Sequence, residues 1–206
     1  MSMHSMTEED RSRIAAEIKA AEARTAGEIY VVIDREVHAY RVVPVLWASL
    51  IALIAPWPLH LLTYWTTTTI LVAQVLTFVV VTIIASHPAF HLALVPRFLA
   101  AERARNAARA QFMAHGVHLT ENRTGVLIYV ALTDRCVEIV ADAGINNKVS
   151  QSEWDLLADQ VAQAARANQM LEGLLVSIRR AGLLLEQHFP AAADDRNELP
   201  DHVVEI

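Results

Sequence analysis

Residues 42 to 96 contain no Asp, Glu, Lys or Arg, although the chain carries 17 basic and 23 acidic residues. No other feature constrains the fold as much. A bilayer core of about 30 Å is crossed by about 20 apolar residues in a helix. The uncharged region holds two such stretches, VVPVLWASLIALIAPWPLHLL (42–62) and TTTTILVAQVLTFVVVTIIAS (66–86). The alternative is a buried soluble hairpin, but the 206-residue chain leaves too little protein to cover it on all sides. Two spans predict a transmembrane hairpin. In PWPLHLLTYW two prolines are expected to interrupt the helix, and Trp57, Tyr64 and Trp65 suit the headgroup level, so this segment is read as the turn. The first 41 residues are polar and charged, which argues against a cleaved signal peptide.

Basic residues beside the spans set the orientation. Arg35 and Arg41 precede the first span, and Arg97, Arg103, Arg105 and Arg109 follow the second. Both flanks are therefore expected in the cytoplasm, with the hairpin in a bacterial inner membrane. HPAFHLALVPRF (87–98) is expected to run along the membrane surface, with His60, His87 and His91 read as solvated imidazoles at the interface rather than ligands. A net charge of -6 with no basic stripe argues against nucleic-acid binding. The single cysteine, Cys136, excludes an internal disulfide framework, and in its apolar strand it reads as a small buried hydrophobe rather than a reactive thiol.

The flanks carry ordinary soluble patterns. Thr7 with Asp10 has capping-box spacing, and Ile14, Ile18 and Ala21 share a helical face, predicting a helix over 7–24. TAGEIYVVID gives a strand at 28–33. After the insert, RFLAAERARNAARAQFMAHG reads as a helix closed by Gly116. Val126 to Leu132 is apolar throughout, as in a central strand covered on both faces. Cys136 to Ala141 is expected to pair with it antiparallel across TDR. Ser150 with Glu153 predicts a helix to about 166, and a further helix over roughly 169–188 turns Leu171, Leu174, Ile178 and Leu185 inward until Pro190 ends it. The tail from 190 to 206 is expected to lie extended. For the first two strands to lie parallel a crossover helix must join them, so the hairpin interrupts that crossover.

AEARTAGEIYVVI and RTGVLIYVALTDRCVEIVADAGI together resemble the two signatures of the TPM-domain family: a strand opened by a GEI turn, then a strand, an Asp-Arg turn, a second strand and a glycine-containing loop. The resemblance implies an α/β fold, a three-layer TPM-like domain with a small mixed sheet, here interrupted by the two-helix transmembrane hairpin. The segments would be 1–41 and 97–189 for the domain, 42–96 for the insert and 190–206 for the tail. It also implies a family in which acid phosphatase activity, calcium binding and repair of membrane complexes occur. The inserted hairpin and NELPD tail are similar to those of a bacterial membrane subgroup.

Candidate chemistry is sparse. The family's Asp-Arg turn maps onto Asp134 and Arg135, and its later loop onto Asp142, Gly144, Ile145, Asn146 and Asn147. A calcium ion wants several carboxylate or carbonyl oxygens in one place. Asn146 and Gln151 stand where many relatives have carboxylates, which lowers the charge that Asp142, Asn146 and Asn147 offer; otherwise the loop is a turn held by its own Asx side chains. No other cofactor is expected. Asp34 and Asp134 are candidates for an acid/base pair, with Arg135 to hold phosphate, against the simpler reading of a solvated turn. HGVH (115–118) has metal-ligand spacing but straddles a helix end. There is no GxSxG or HExxH motif and no phosphate-binding glycine loop.

The strand directions place Asp34, Asp134 and Arg135 at one edge, expected to face the bilayer, and Asp142, Asn146 and Asn147 at the other. Gln74, the one carboxamide in the second span, is expected either to bond within the hairpin or to join two copies. The function expected is a binding, assembly or maintenance module for a membrane protein complex, with the bilayer, another membrane protein and a homo-oligomer as partners. The alternative is a membrane-tethered, metal-dependent phosphatase.

Overall fold

A computed structural model describes residues 6–35, 42–87, 95–134, 136–191, 197–200 and 202–206. The chain divides into two compact units, one made of Met1–Glu36 with Ala101–Ile206 and the other of Val37–Ala100.

The first unit is built on a four-stranded sheet. Helix α1 (Glu8–Glu22) starts at Thr7, whose hydroxyl accepts from the Asp10 N–H at 3.1 Å while the Asp10 carboxylate accepts from the Thr7 N–H at 2.9 Å. Strand β1 (Glu28–Asp34) lies parallel to β2 (Gly125–Ala131), with Glu28 opposite Gly125 and Asp34 opposite Ala131. Every residue of both strands is buried, which explains the apolar runs between Glu28 and Asp34 in β1 and along β2. Strand β3 (Cys136–Ala141) is antiparallel to β2, as the short TDR connection requires. The tail does more than lie extended: Val203–Glu205 forms β4, parallel to β1, so the sheet order is β3-β2-β1-β4.

Alternation along the strands creates two cores. Ile29, Val31, Ile33, Val126, Ile128 and Val130 face α1, α7 (Gln151–Arg166) and α8 (Met170–His188), where Trp154, Leu174, Ile178 and Leu185 are buried; Leu171 is only partly so. Tyr30, Val32, Leu127 and Tyr129 face Ala104, Ala108 and Phe112 of α5 (Arg97–Ala114). Helix layers on both faces make the three-layer α/β/α arrangement, and α5 is the crossover that lets β1 and β2 run parallel. Gly116 ends α5 at φ 67°, a left-handed value that glycine adopts without a Cβ penalty. The Glu153 carboxylate accepts from the Ser150 N–H at 3.1 Å at the start of α7. Between β3 and α7 lies a short turn of helix, α6 (Ala143–Asn146), where sequence showed only a loop.

In the second unit, α2 (Val42–Ile54) and α4 (Thr67–Ala85) pack together through Ala48, Ala52 and Ile70. Between them, α3 (Pro56–Leu62) corrects the expected turn. Pro56 and Pro58 fall in the first turn of α3, where an intrahelical N–H is not required, so they do not stop the helix. Ala55 keeps helical dihedrals (φ -52°, ψ -38°), and the connection shrinks to residues 63–66. Val42–Leu62 and Thr67–Ala85 are long and apolar enough to cross a membrane, with mean hydropathies of 1.9 and 2.3. Only 22% and 11% of these windows is buried, unlike the core helix of a soluble protein. The segment expected along the membrane surface has residues 88–94, including His91, outside the described residues.

Candidate functional site

The end of the sheet where β1 and β2 terminate collects the polar residues of the α5 face. Register sets one row of Asp34, Ala131 and Cys136 and a row behind it of Val32, Tyr129 and Glu138. Asp34 is 4% exposed, and the Tyr129 hydroxyl donates to its Oδ2. Burial, and then the Asp34 carboxylate, push the Tyr129 phenol well above its ordinary range, so it stays protonated and donating. Glu138 is raised by burial, partly opposed by Arg105, whose Nε lies 3.6 Å from its carboxylate. Burial also raises the Cys136 thiol, with Asp134 and Glu138 adding to the shift, which disfavours the nucleophilic thiolate. Cys136 donates to the Asp134 carbonyl at 3.5 Å.

Of the expected acid/base pair, Asp34 is the last residue of β1 and Asp134 is a half-buried residue of the β2–β3 turn, so the same end of the sheet holds both. Arg135 lies outside the described residues. Sequence reasoning missed Tyr129, hidden in the apolar run VLIYVA, and Glu138, the one acidic residue in CVEIVA; alternation along β3 would have placed Glu138 beside Cys136 on the α5 face.

The second candidate group sits at the opposite end. The Asp142 N–H donates to the Gly125 carbonyl at 2.9 Å, six residues of β2 away from Ala131, or about 20 Å along the strand. Asp142 is the N-cap of α6 and accepts from the Ala143 N–H at 2.6 Å. Its other oxygen, Oδ2, is buried with no hydrogen-bond partner among the described residues. Asn146 turns its amide to the Ala141 carbonyl at 2.8 Å, and Asn147 is exposed at the C-cap. These contacts are those of a self-bonded turn. Among the described residues no group of three or more His, Cys, Asp or Glu side chains is placed to hold a metal ion. In HGVH, His115 Nδ1 lies 3.1 Å from the Tyr30 hydroxyl, and the His118 ring packs 6.3 Å from that of Phe112.

Two further carboxylates hold the tail. Glu28, 6% exposed, accepts from the N–H groups of Glu198 (3.1 Å) and Leu199 (3.3 Å). Glu205 on β4 pairs with Arg11 at 2.9 Å and Arg35 at 2.8 Å, while the Arg35 N–H donates to the Ile206 carbonyl at 2.8 Å.

Geometry thus defines a three-layer α/β/α domain in which a buried Asp34 and a half-buried Asp134 lie at the carboxyl ends of its parallel strands. The model of the TPM domain family matches residues 85–183, from the end of α4 through most of α8. The match leaves out α1 and β1, which the parallel β1–β2 pairing places in the same domain. The fold is similar to that of the BA42 protein from the psychrophilic bacterium Bizionia argentinensis, with a TM-score of 0.63 and 21% identity over 100% of this chain and 99% of that one. No curated protein matches the sequence.

Proposed function

We propose that this chain is a membrane-anchored member of the TPM-domain family, in the bacterial subgroup with an inserted hairpin. Its hairpin spans the inner membrane, and its α/β domain works in the cytoplasm as a binding or assembly module for another membrane protein. The uncharged region from 42 to 96 and the exposed apolar sides of α2 and α4 support the anchoring, and the arginines on both flanks support the orientation. One observation carries the choice of binding over catalysis: Asp34, the acid at the head of the candidate site, is 4% exposed and receives the Tyr129 hydroxyl. A general acid or base must reach substrate, and a carboxylate so enclosed serves the fold first. The proposed docking edge is the end of the sheet that holds Asp134.

Photoreactive residues placed at 134 and 146 in the intact chain test this reading in native membranes. Adducts to a membrane protein at 134, and few at 146, are expected; the reverse pattern overturns the docking edge. Release of the chain by alkaline carbonate would remove the anchoring itself. Phosphomonoester hydrolysis that collapses on Asp134→Ala substitution would replace the assembly role with an enzymatic one.

A further inference from the structure

The helix layers on the two faces of the sheet differ in charge. Helices α1, α7 and α8 together carry ten acidic and six basic residues, whereas α5 carries four arginines and a single acid, Glu102. The α5 layer alone is basic. Its outer side also leaves large apolar side chains uncovered. At 100° per residue Phe98, Glu102, Arg105, Arg109 and Met113 fall within an arc of about 80°, turned away from Ala104 and Ala108, which pack on the sheet. Phe98 is 68% exposed and Met113 62%. Arg105 holds its Nε 3.6 Å from Glu138 and its side chain is still 58% exposed, and Arg109 is exposed one turn further on. Two arginines thus lie between exposed apolar residues at either end of one helix face.

Exposed apolar groups flanking basic ones is the pattern of a helix that lies in a bilayer interface. We propose that the outer face of α5 rests on the anionic cytoplasmic leaflet, with Arg105 and Arg109 against lipid phosphates and Phe98 and Met113 inserted below the headgroups. The inference rests on the membrane placement and orientation proposed above. Chain continuity favours a lipid surface over a soluble partner. The connection from α4 to α5, residues 86–96, carries no charge, and fully extended it reaches about 40 Å at most. Once α4 crosses the bilayer, the leaflet is therefore always within reach of α5. The guanidinium group offers phosphate a planar fork of donors, and each basic residue near an anionic leaflet gains from its surface potential. The opposite layer, with more acids than bases, is repelled by the same potential. Charge therefore selects which side of the domain turns to the lipid.

The test uses the full chain with Cys136→Ser and one introduced cysteine carrying an environment-sensitive fluorophore, reconstituted in vesicles whose lipids bear bromine on the acyl chains. Position 113 reports the α5 face, and position 176, on α8 and 40% exposed in the native chain, reports the opposite layer. In phosphatidylethanolamine/phosphatidylglycerol vesicles, bromine should quench the label of Met113→Cys and spare that of Val176→Cys. Phosphatidylcholine vesicles, or about 0.5 M salt, should weaken the quenching at 113. Arg105→Gln with Arg109→Gln should lower the docked-to-free ratio about tenfold to thirtyfold, while Arg105→Lys with Arg109→Lys should keep most of it. Absent quenching at 113, equal quenching at 176, or a ratio indifferent to lipid charge overturns the docking. Self-quenching at 113 that rises with protein density, in place of quenching by bromine, gives the face to a second copy and overturns it too. Flotation after a carbonate wash separates the two readings. Loss of the chain from the vesicles removes the membrane placement, whereas a retained chain without quenching at 113 removes only the docking.

Discussion

Tyr129→Phe tests whether the acidic cluster is structural. The substitution removes one hydroxyl, keeps the ring against the α5 face and leaves the buried Asp34 carboxylate short of a donor. A hydrogen bond to a charged group contributes about 1.5–3 kcal/mol, and the missing partner is not replaced by water at a group this enclosed. For a unit of this size that corresponds to a fall in Tm of roughly 4–10 °C. Circular dichroism of the purified chain in mild detergent, with hydrogen exchange at β1 and β2, reads the loss. A pH signature accompanies it. The phenol is raised in the folded state, so its stabilisation is complete below the unfolded tyrosine value of about 10 and is lost as pH climbs above that. Wild-type stability should decline above pH 10 more steeply than that of Tyr129→Phe; Tyr30, also raised by burial, contributes equally to both. A Tm within 1 °C of wild type, or an identical alkaline slope, would refute the bond and reopen Asp34 as a candidate for acid/base chemistry.

Glu205→Gln removes the charge shared by Arg11 and Arg35; these arginines are 38% and 33% exposed, so screening limits the expected loss to about 1 kcal/mol, seen as faster hydrogen exchange at residues 203–206 and earlier proteolysis of the tail. Gly144→Ala would bring a Cβ to 2.6 Å from the Arg123 carbonyl oxygen and 2.7 Å from that of Asn122, both backbone atoms, and should cost about 1–3 kcal/mol in thermal unfolding; no loss would mean that the α6 turn shifts freely.

Local rules made most of the soluble unit readable. Thr7 with Asp10 fixed where α1 begins, the apolar runs of β1 and β2 announced strands covered on both faces, and TDR left β3 little choice but antiparallel pairing. Two elements resisted for opposite reasons. Val203–Glu205 is too short for any periodicity, and its strand character comes from distant partners: the β1 edge, Arg11 and Arg35. Pro56–Leu62 was misread because proline is a breaker only where its N–H would be needed, and position within the turn decides that. The site was legible as far as the acids that end β1 and sit in the following turn, Asp34 and Asp134. Its interior was not, since a tyrosine in a fully apolar strand carries no sign of the carboxylate it will meet across the sheet.

The way the tail is held closes one edge of that sheet. Glu28 and Glu205 lie near opposite ends of the β1–β4 edge, one gripping backbone N–H groups of Glu198 and Leu199, the other two guanidinium groups. An uncovered edge beside β1 would present a row of unpaired backbone groups, a template for unwanted strand pairing. Three ladder residues alone are a weak cover, and the two carboxylates add to the hold on the tail. With that side closed, the docking edge proposed above is left at the end of the sheet near Asp134, between β2 and β3.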